Sequence, residues 1–327
     1  MPSILLQTPE AEEPADHRWR FGAHDLLLKS AACSTRHRLT DDPVEAAIIL
    51  FSSPGPAPLG GSIFRRAEYR RHPEKCFVFD PSDFPLALLP GVYPSIEKSW
   101  YDPRWTRSGF YLHIDDEPRF NVQPWSEEMP FLFSFVGSCT NAAVRLRLRT
   151  LDHPRGCVVD TSGQVAPAYR AGDGDAIRRL NQNYMDVVRA SQFALCPRGV
   201  GCSSQRIFEV MRMGRAPVIL ADEWVPPVGP EWERFSVRVP EADVLELPRL
   251  LAAYASSARE MGSLARQQWE RWFATPVLFD TVVDWCLDIQ RAGRCGDPWF
   301  QRRKYFQLLR PHHARDCLRT LKRAWKS

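Results

Sequence analysis

The stretch that most constrains the fold is residues 191–223, which alternates between strand and helix patterns. A short apolar run from Gln192 to Cys196 has the length of a buried strand and stops at Pro197. A loop rich in glycine and serine follows, and Gln205 to Met213 then places its apolar residues on one helical stripe. After a glycine, Ala216 to Leu220 has the composition of a second strand. This order predicts two parallel strands joined by a right-handed crossover.

The loop and first helical turn of this stretch carry groups suited to a phosphorylated ligand. The amino end of a helix offers unpaired N–H groups and the positive end of its dipole. Ser203 and Ser204 add hydroxyl donors. Arg206 and Glu209 are three residues apart, so both can point toward one ligand, the arginine to diphosphate oxygens and the carboxylate to a ribose diol. The alternative is that they pair with each other on a solvated face.

The same stretch, extended to Pro226, resembles the donor-binding half of exostosin-type glycosyltransferases. That pattern has a strand ending in Pro and Gly, serines, Arg-x-x-Glu, Gly-x-x-Pro-Val and a loop with Asp and Pro. The matching residues here are Ser191, Phe193, Pro197, Gly199, Ser203, Ser204, Arg206, Glu209, Gly214, Pro217, Val218, Asp222 and Pro226. Arg215 and Ala216 depart from the Cys-Ile of many relatives, which alters only packing. The resemblance covers roughly the carboxyl-terminal half, and the amino-terminal half matches loosely.

This resemblance implies an α/β fold of two Rossmann-like domains facing across a cleft, the GT-B type of glycosyltransferase fold. It implies an inverting enzyme that moves a sugar from a nucleotide-sugar donor to a saccharide acceptor in the synthesis of surface polysaccharide or another glycan. The donor-binding candidates are Gly137, Ser138, Arg145, Pro197, Gly199, Gly201, Ser203, Ser204, Arg206, Glu209, Asp222 and Trp224. We expect no cofactor and no obligatory metal, because Arg206, the serines and the helix dipole would offset the leaving-group charge.

Length and patterning predict two domains and a tail. A chain of 327 residues exceeds one ordinary core. We expect an acceptor-side Rossmann-like domain over 1–127, a donor-binding domain over 128–290 and a basic amphipathic helical tail over 291–327. An apolar strand ending at Gly137 and Ser138 resembles the start of a donor domain, and Arg145 on the next helix is either a donor contact or a solvated side chain.

An inverting transfer needs a base for the acceptor hydroxyl, commonly Asp or Glu. Asp80 and Asp83 follow a predicted strand, where an α/β domain binds ligands. Asp83 is the first candidate, because Asp80 is expected to cap its own turn. The alternative is that both aspartates serve only as turn residues. Asp115 and Asp116, close to His113, form a second candidate set.

Composition argues against several classes of protein. The formal charge of +4 is modest and spread along the chain, so nucleic acid is not an expected partner. No apolar run reaches about 18 residues, so no transmembrane helix is expected. The amino terminus turns acidic at once, unlike a signal peptide. Nine cysteines without a C-x-x-C pair favour a reduced cytosol and give no support to a zinc site.

The tail from Trp299 to Ser327 differs from the rest of the chain. It holds nine Lys or Arg against one acid, Asp316, with aromatic and leucine residues interleaved. Such a helix can lie on an anionic membrane surface, which would place the protein at the inner face of a membrane. Alternatively, the tail packs back on the protein. Two other functions therefore stay open besides catalysis: a catalytically silent partner subunit that binds donor or saccharide, and a membrane-surface scaffold.

Overall fold

The computed structural model describes residues 1–8, 18–52, 63–111, 125–126, 128–293, 298–311 and 313–315, with the backbone alone at 18–21. The chain divides into two compact units, one comprising Met1–Asp115, Trp224–Val228 and Trp272–Ser327, the other Asp116–Glu223 and Gly229–Arg271. Each unit is built on one parallel sheet, so the α/β fold class with two Rossmann-like units is confirmed.

The strands in chain order are β1 (Ser3–Gln7), β2 (Arg38–Leu39), β3 (Ile48–Ser52), β4 (Cys76–Phe79), β5 (Gly91–Tyr93), β6 (Thr106–Ser108), β7 (Phe131–Gly137), β8 (Gly156–Asp160), β9 (Ser191–Pro197), β10 (Ala216–Leu220) and β11 (Val237–Arg238). The α-helices are α1 (Arg18–Ala31), α2 (Ala67–Arg71), α3 (Ala143–Leu148), α4 (Val165–Ala171), α5 (Gly174–Arg189), α6 (Arg206–Arg212), α7 (Trp232–Phe235), α8 (Leu247–Tyr254), α9 (Ala258–Trp272), α10 (Thr275–Arg291) and α11 (Pro298–Arg303). Within the described ranges, none of the helices has the length and apolar character needed to span a membrane.

The first sheet has the strand order β2-β1-β3-β4-β5-β6, with every pair parallel. Its central strands β3 and β4 are buried along their whole length, as expected for a parallel sheet covered on both faces. The registers pair Gln7 with Phe51 and Ser52 with Phe79. The carboxyl ends of β1, β3 and β4 therefore lie in one row.

Helix α10 belongs to the first unit, where it packs against α1, β3 and β5. Its apolar residues recur on one face and include Leu278, Val282 and Ile289, each fully buried. The division made from sequence had placed residues up to 290 with the donor domain. The difference arises because α10 follows α9 directly in the chain, and helical periodicity does not show which sheet an apolar face will cover.

The second sheet has the order β11-β10-β9-β7-β8, again all parallel. After β7 the chain runs first to β8 on one side and then to β9 on the other. The β7–β9 boundary is therefore the topological switch point, where open α/β sheets form a ligand crevice at the carboxyl ends of their strands. Since Phe133 pairs with Phe193, the last residues of these strands, Gly137 and Pro197, lie side by side.

Residues 191–223 fold as the sequence predicts. Strand β9, the loop, α6 and β10 follow one another, and β9 pairs with β10 in parallel. Gly214 has φ of 71°, a conformation that suits glycine at the end of a helix. Helix α6 is buried on most of its surface, including Ile207, Phe208 and Val210. Its depth in the core fixes the direction in which its polar residues point.

Candidate active site

Arg206 begins α6 and reaches across the switch point to β7. Its Nη2 donates a hydrogen bond to the carbonyl oxygen of Val136 at 2.9 Å. An ideal Cβ at Gly137 would lie 3.0 Å from Cζ of Arg206 and closer still to Nη2. No side chain fits at 137 without moving the guanidinium. Gly137, predicted as a donor contact, therefore has a structural role in admitting Arg206.

The guanidinium of Arg206 lies between two aromatic rings, and one of its nitrogen atoms remains available for a ligand. Its Cζ lies 5.2 Å from the ring centroid of Phe135 and 5.6 Å from that of Tyr184. Cations over aromatic faces are attracted by the ring quadrupole. Its Nε is buried and has no hydrogen-bond partner among the described residues. Because an unsatisfied buried donor costs roughly 1–3 kcal/mol, this atom is suited to an oxygen of a ligand.

Arg145 is a second buried guanidinium at the same place. It donates from Nε to the carbonyl of Arg198 at 2.7 Å, from Nη2 to that of Pro197 at 3.1 Å and from Nη1 to that of Ser138 at 3.3 Å. Burial, followed by the nearby charge of Arg206, lowers the pKa of Arg145 to about 9. The side chain therefore stays charged at neutral pH. The alternative that Arg145 lies on a solvated face is wrong, since it is 4% exposed and clamps the ends of β7 and β9.

The loop before α6 holds two buried serines. Ser203 and Ser204 are 2% and 3% exposed, and within the described part of the chain neither Oγ has a hydrogen-bond partner. The loop is closed by the N–H of Gly199, which donates to the carbonyl of Ser203 at 3.0 Å. Because α6 has only seven residues, we assign the anion-binding capacity to these side chains rather than to a helix dipole.

Glu209 lies one turn after Arg206 and is buried, with 6% of its surface exposed. The pKa of Tyr184 is raised well above its usual value, by burial first and then by the nearby Glu209 carboxylate. The solvated-pair alternative is therefore wrong for Glu209. Tyr184, which lies near Glu209, was not predicted from the sequence as a site residue. The available signal was its hydroxyl, since a tyrosine on a buried helix face needs a hydrogen-bond partner.

The remaining loop candidates are tied into local networks. Asp222 Oδ1 accepts from the N–H of Glu241 at 3.0 Å, and Arg198 Nε contacts both carboxylate oxygens of Glu241, at 2.9 and 3.1 Å. Ser138 Oγ contacts Asn141 Oδ1 at 3.1 Å. Trp224 is 1% exposed and belongs to the first unit. Donor contacts by these residues and by Gly201 stay predictions.

The base candidates of the first unit lie after β4. The Oδ1 of Asp80 accepts a hydrogen bond from the Ser82 N–H at 3.0 Å, so this carboxylate caps its turn as predicted. Burial raises the pKa of Asp80, and the bonds from Ser82 oppose that shift. Asp83 is exposed, and its Oδ1 accepts from the Tyr111 hydroxyl at 3.4 Å. The second candidate set, Asp115 and Asp116 with His113, lies outside the described residues.

Among the residues that the structure describes, no group of three or more His, Cys, Asp or Glu side chains could hold a metal ion. Whether the reaction needs a metal is not tested by this arrangement, so independence from metal stays a prediction.

Comparison with known proteins identifies the domain. Residues 111–254 match the family model described as the Exostosin GT47 domain. The chain is 30% identical over 104 residues to an Exostosin-1 homolog of Caenorhabditis elegans, which covers 31% of this chain and 27% of that protein. It is 40% identical over 80 residues to a probable glycosyltransferase of Arabidopsis thaliana (24% of this chain, 16% of that protein) and 32% identical over 105 residues to Exostosin-2 of Bos taurus (30% and 15%).

Residues 111–254 are thus similar to the exostosin-type glycosyltransferase domain, in agreement with the resemblance predicted from the sequence. The match covers less than half of the chain. The matches span less than a third of the length of each of these relatives. Among solved structures, MurG of Acinetobacter baumannii aligns with a TM-score of 0.37 and 10% identity, over 88% of this chain and 99% of that one, a likeness too distant to carry any argument.

Proposed function

We propose that the protein is an inverting glycosyltransferase that moves a sugar from a nucleotide-sugar donor to a saccharide hydroxyl, in the synthesis of surface polysaccharide or another glycan. The observation that carries the proposal is the convergence at the switch point of Arg145, Arg206 and the hydroxyls of Ser203 and Ser204, which have no hydrogen-bond partner among the described residues. The buried Arg145 lies near the half-buried Arg206, and the carboxylate of Glu209 is buried one turn after Arg206. Such a site favours a ligand that brings several anionic oxygens.

In this proposal each group has a defined task. Arg206, Ser203 and Ser204 bind the diphosphate, and Glu209 accepts hydrogen bonds from the ribose diol. A bond forms between the acceptor oxygen and the anomeric carbon while the bond from that carbon to the diphosphate breaks. The nucleoside diphosphate leaves with the electron pair, and the cationic site stabilises its developing charge without requiring a metal. A single displacement of this kind inverts the anomeric centre.

The acceptor proton goes to a base in the first unit. We propose Asp83 for this role, because it follows a central strand and is exposed to solvent. Asp80 is the second candidate, since burial raises its pKa and so strengthens it as a base. Its hydrogen bond to the Ser82 N–H counts against it. Asp115 and Asp116 remain the second set of candidates for the base.

A thermal-shift screen against UDP-, GDP- and CMP-sugars tests the donor site. A ligand that binds only the folded state raises the unfolding midpoint, and an excess of about 100-fold over Kd adds about 2.7 kcal/mol. We expect one nucleotide class to raise the midpoint of the wild type. The absence of a shift with every donor in the panel would contradict the proposal. A silent partner subunit would give the same shift, and only turnover separates it from an enzyme.

A second function is favoured by the described part of the tail. Lys304 is 4% exposed, donates to the carbonyl of Leu88 at 3.2 Å and lies 3.8 Å from the ring centroid of Trp105. This side of the tail braces the first unit. The opposite side leaves Trp299 64% and Leu309 74% exposed, and Tyr305 and Phe306 are exposed as well.

We propose that this outer face rests on an anionic membrane surface. Aromatic residues favour the membrane interface, and the arginines and lysines of the tail add attraction to anionic lipid. The protein would then work on the cytoplasmic side, at the inner face of a membrane. The free thiols of the described cysteines, such as Cys33, suit a reducing compartment.

A further inference from the structure

The carboxyl ends of the first sheet hold a cluster of polar side chains that the donor site does not use. Ser52, the last residue of β3, places its Oγ 2.8 Å from Nδ1 of His24 on α1. The same Oγ lies 3.3 Å from the carbonyl oxygen of Gln7, the last residue of β1. The side-chain oxygen of Gln7 accepts from Arg66 Nη2 at 2.7 Å. This is the β1–β3 switch point, where this strand order again predicts a ligand crevice.

The cluster is adjacent to the candidate base. The β3–β4 register pairs Ser52 with Phe79, the residue that precedes Asp80. Neighbouring strands lie about 4.8 Å apart, a distance that one sugar ring can span. A hydroxyl presented to Asp80 or Asp83 would therefore leave the other hydroxyls of the same sugar within reach of His24, whose ring contacts the fully buried Ser52.

The chemistry of the cluster matches neutral hydroxyls. Burial lowers the pKa of His24, and the nearby charge of Asp25 only partly offsets this, so the imidazole is mostly neutral near pH 7. A neutral imidazole, a serine hydroxyl and a primary amide each offer both a donor and an acceptor. Sugar hydroxyls also donate and accept. The cluster differs in this respect from the cationic crevice of the second sheet.

We propose that Gln7 and His24 form a hydroxyl-binding subsite for the saccharide acceptor, with the buried Ser52 holding the imidazole. The proposal rests on the glycosyltransferase function proposed above. It assigns to His24 the role of binding a sugar hydroxyl through Nε2 while Nδ1 is held by Ser52. The competing explanation is that the His24–Ser52 bond only fastens α1 to the sheet.

Saturation-transfer NMR on the full chain separates the two. The probes are octyl β-glycosides of glucose, galactose, xylose and glucuronic acid at millimolar concentration. His24→Asn keeps a polar atom near Ser52 Oγ but removes the outer ring nitrogen. His72→Asn is the matched control, since His72 is a half-buried histidine of the same unit beside Glu74. We expect at least one glycoside to bind the wild type and the control equally, and to bind His24→Asn roughly threefold to tenfold more weakly.

Equal binding by wild type and His24→Asn, or no binding to the wild type by any probe, would overturn the subsite. If His24→Asn does not fold, Gln7→Met tests the same subsite, because the Ser52 contact uses only the carbonyl of Gln7. Parallel thermal-shift titrations with the nucleotide sugars keep the two proposals separate. Glycoside binding that depends on His24 without any donor shift would reject the donor site alone, and the reverse pattern would reject the subsite alone.

Discussion

The two sheets share a strand order around their first strand, β2-β1-β3 in one unit and β8-β7-β9 in the other, yet their switch points differ in chemistry. The second collects the buried Arg145 and the half-buried Arg206 against the ring of Phe135. The first collects the neutral groups of His24 and Ser52. The same backbone topology thus provides two crevices, and the side chains at the strand ends decide what each can bind.

The difference follows from what each ligand requires. A diphosphate brings negative charge that buried cations can stabilise, whereas an acceptor sugar brings neutral hydroxyls and a proton to be removed. In the donor crevice the carboxylate of Glu209 lies one turn from the guanidinium of Arg206, whereas in the first unit Asp80 and Asp83 stand at the end of β4. In this proposal the second unit uses positive charge to bind the donor, and the first unit uses neutral and proton-accepting groups to bind the acceptor.

The largest expected effect concerns the base. Asp83→Asn keeps the size of the side chain and removes the proton acceptor, so we expect turnover to fall roughly a hundredfold or more with donor affinity unchanged. Steady-state release of nucleoside diphosphate measures this, and Glu74→Gln, an exposed carboxylate of the same unit, is the control.

Three results would change the assignment of the base. If turnover is normal in Asp83→Asn but is lost in Asp80→Asn, Asp80 is the base. A collapse only in Asp115→Asn or Asp116→Asn would move it to the second candidate set. Normal turnover in all of these variants, in a chain that still binds donor, would favour the silent partner subunit.

The next effect tests whether Gly137 serves Arg206. Gly137→Ala places a Cβ where the guanidinium lies, so Arg206 must leave its bond to Val136. We expect donor affinity to fall roughly tenfold and stability by about 1–3 kcal/mol. Gly22→Ala is the control, because its Cβ would meet nothing within 4 Å. Thermal unfolding with and without donor gives both quantities, and unaltered donor affinity in Gly137→Ala would show that the crevice does not depend on this contact.

A smaller effect is expected at the tail. The wild type should co-sediment with vesicles containing phosphatidylserine at low salt and detach at about 0.5 M salt, where screening shortens electrostatic range to a few ångströms. Phe306→Ser with Leu309→Ser should weaken binding roughly tenfold without unfolding the chain, because both side chains are exposed. Tyr254→Ser, exposed in the second unit, is the control. If neither salt nor these substitutions changes vesicle binding, the tail does not bind the membrane and only supports the fold of the first unit.

The smallest effect is expected from metal removal. If buried cations stabilise the leaving group, treatment with EDTA should change turnover by less than about twofold. Loss of activity that Mg²⁺ or Mn²⁺ restores would contradict this part of the mechanism.

The local structure of the donor segment was predictable from sequence, and its long-range contacts were not. The strand expected from Ala216 to Leu220 is β10 with those bounds, because apolar runs and Gly214 determine it locally. The contact between Arg206 and β7 depends on a glycine 69 positions earlier. Arg145 alternates in the sequence with Arg147 and Arg149, which are exposed, and spacing alone does not show which of the three turns inward. The His24–Ser52 pair went unpredicted because the pattern of α1 fits a strand as well as a helix.

The most direct test of the central claim is calorimetric titration of the preferred nucleotide sugar into wild type, Arg206→Ala and Arg178→Ala. Arg178 is exposed on α5, where it pairs with Asp175. Its replacement by alanine therefore removes one positive charge from the same unit, as Arg206→Ala does, but away from the crevice. A charged hydrogen bond to a ligand is worth about 1.5–3 kcal/mol, so Arg206→Ala should lose roughly tenfold or more in affinity while Arg178→Ala binds as the wild type does. Equal affinity in all three proteins would contradict donor binding at the second switch point.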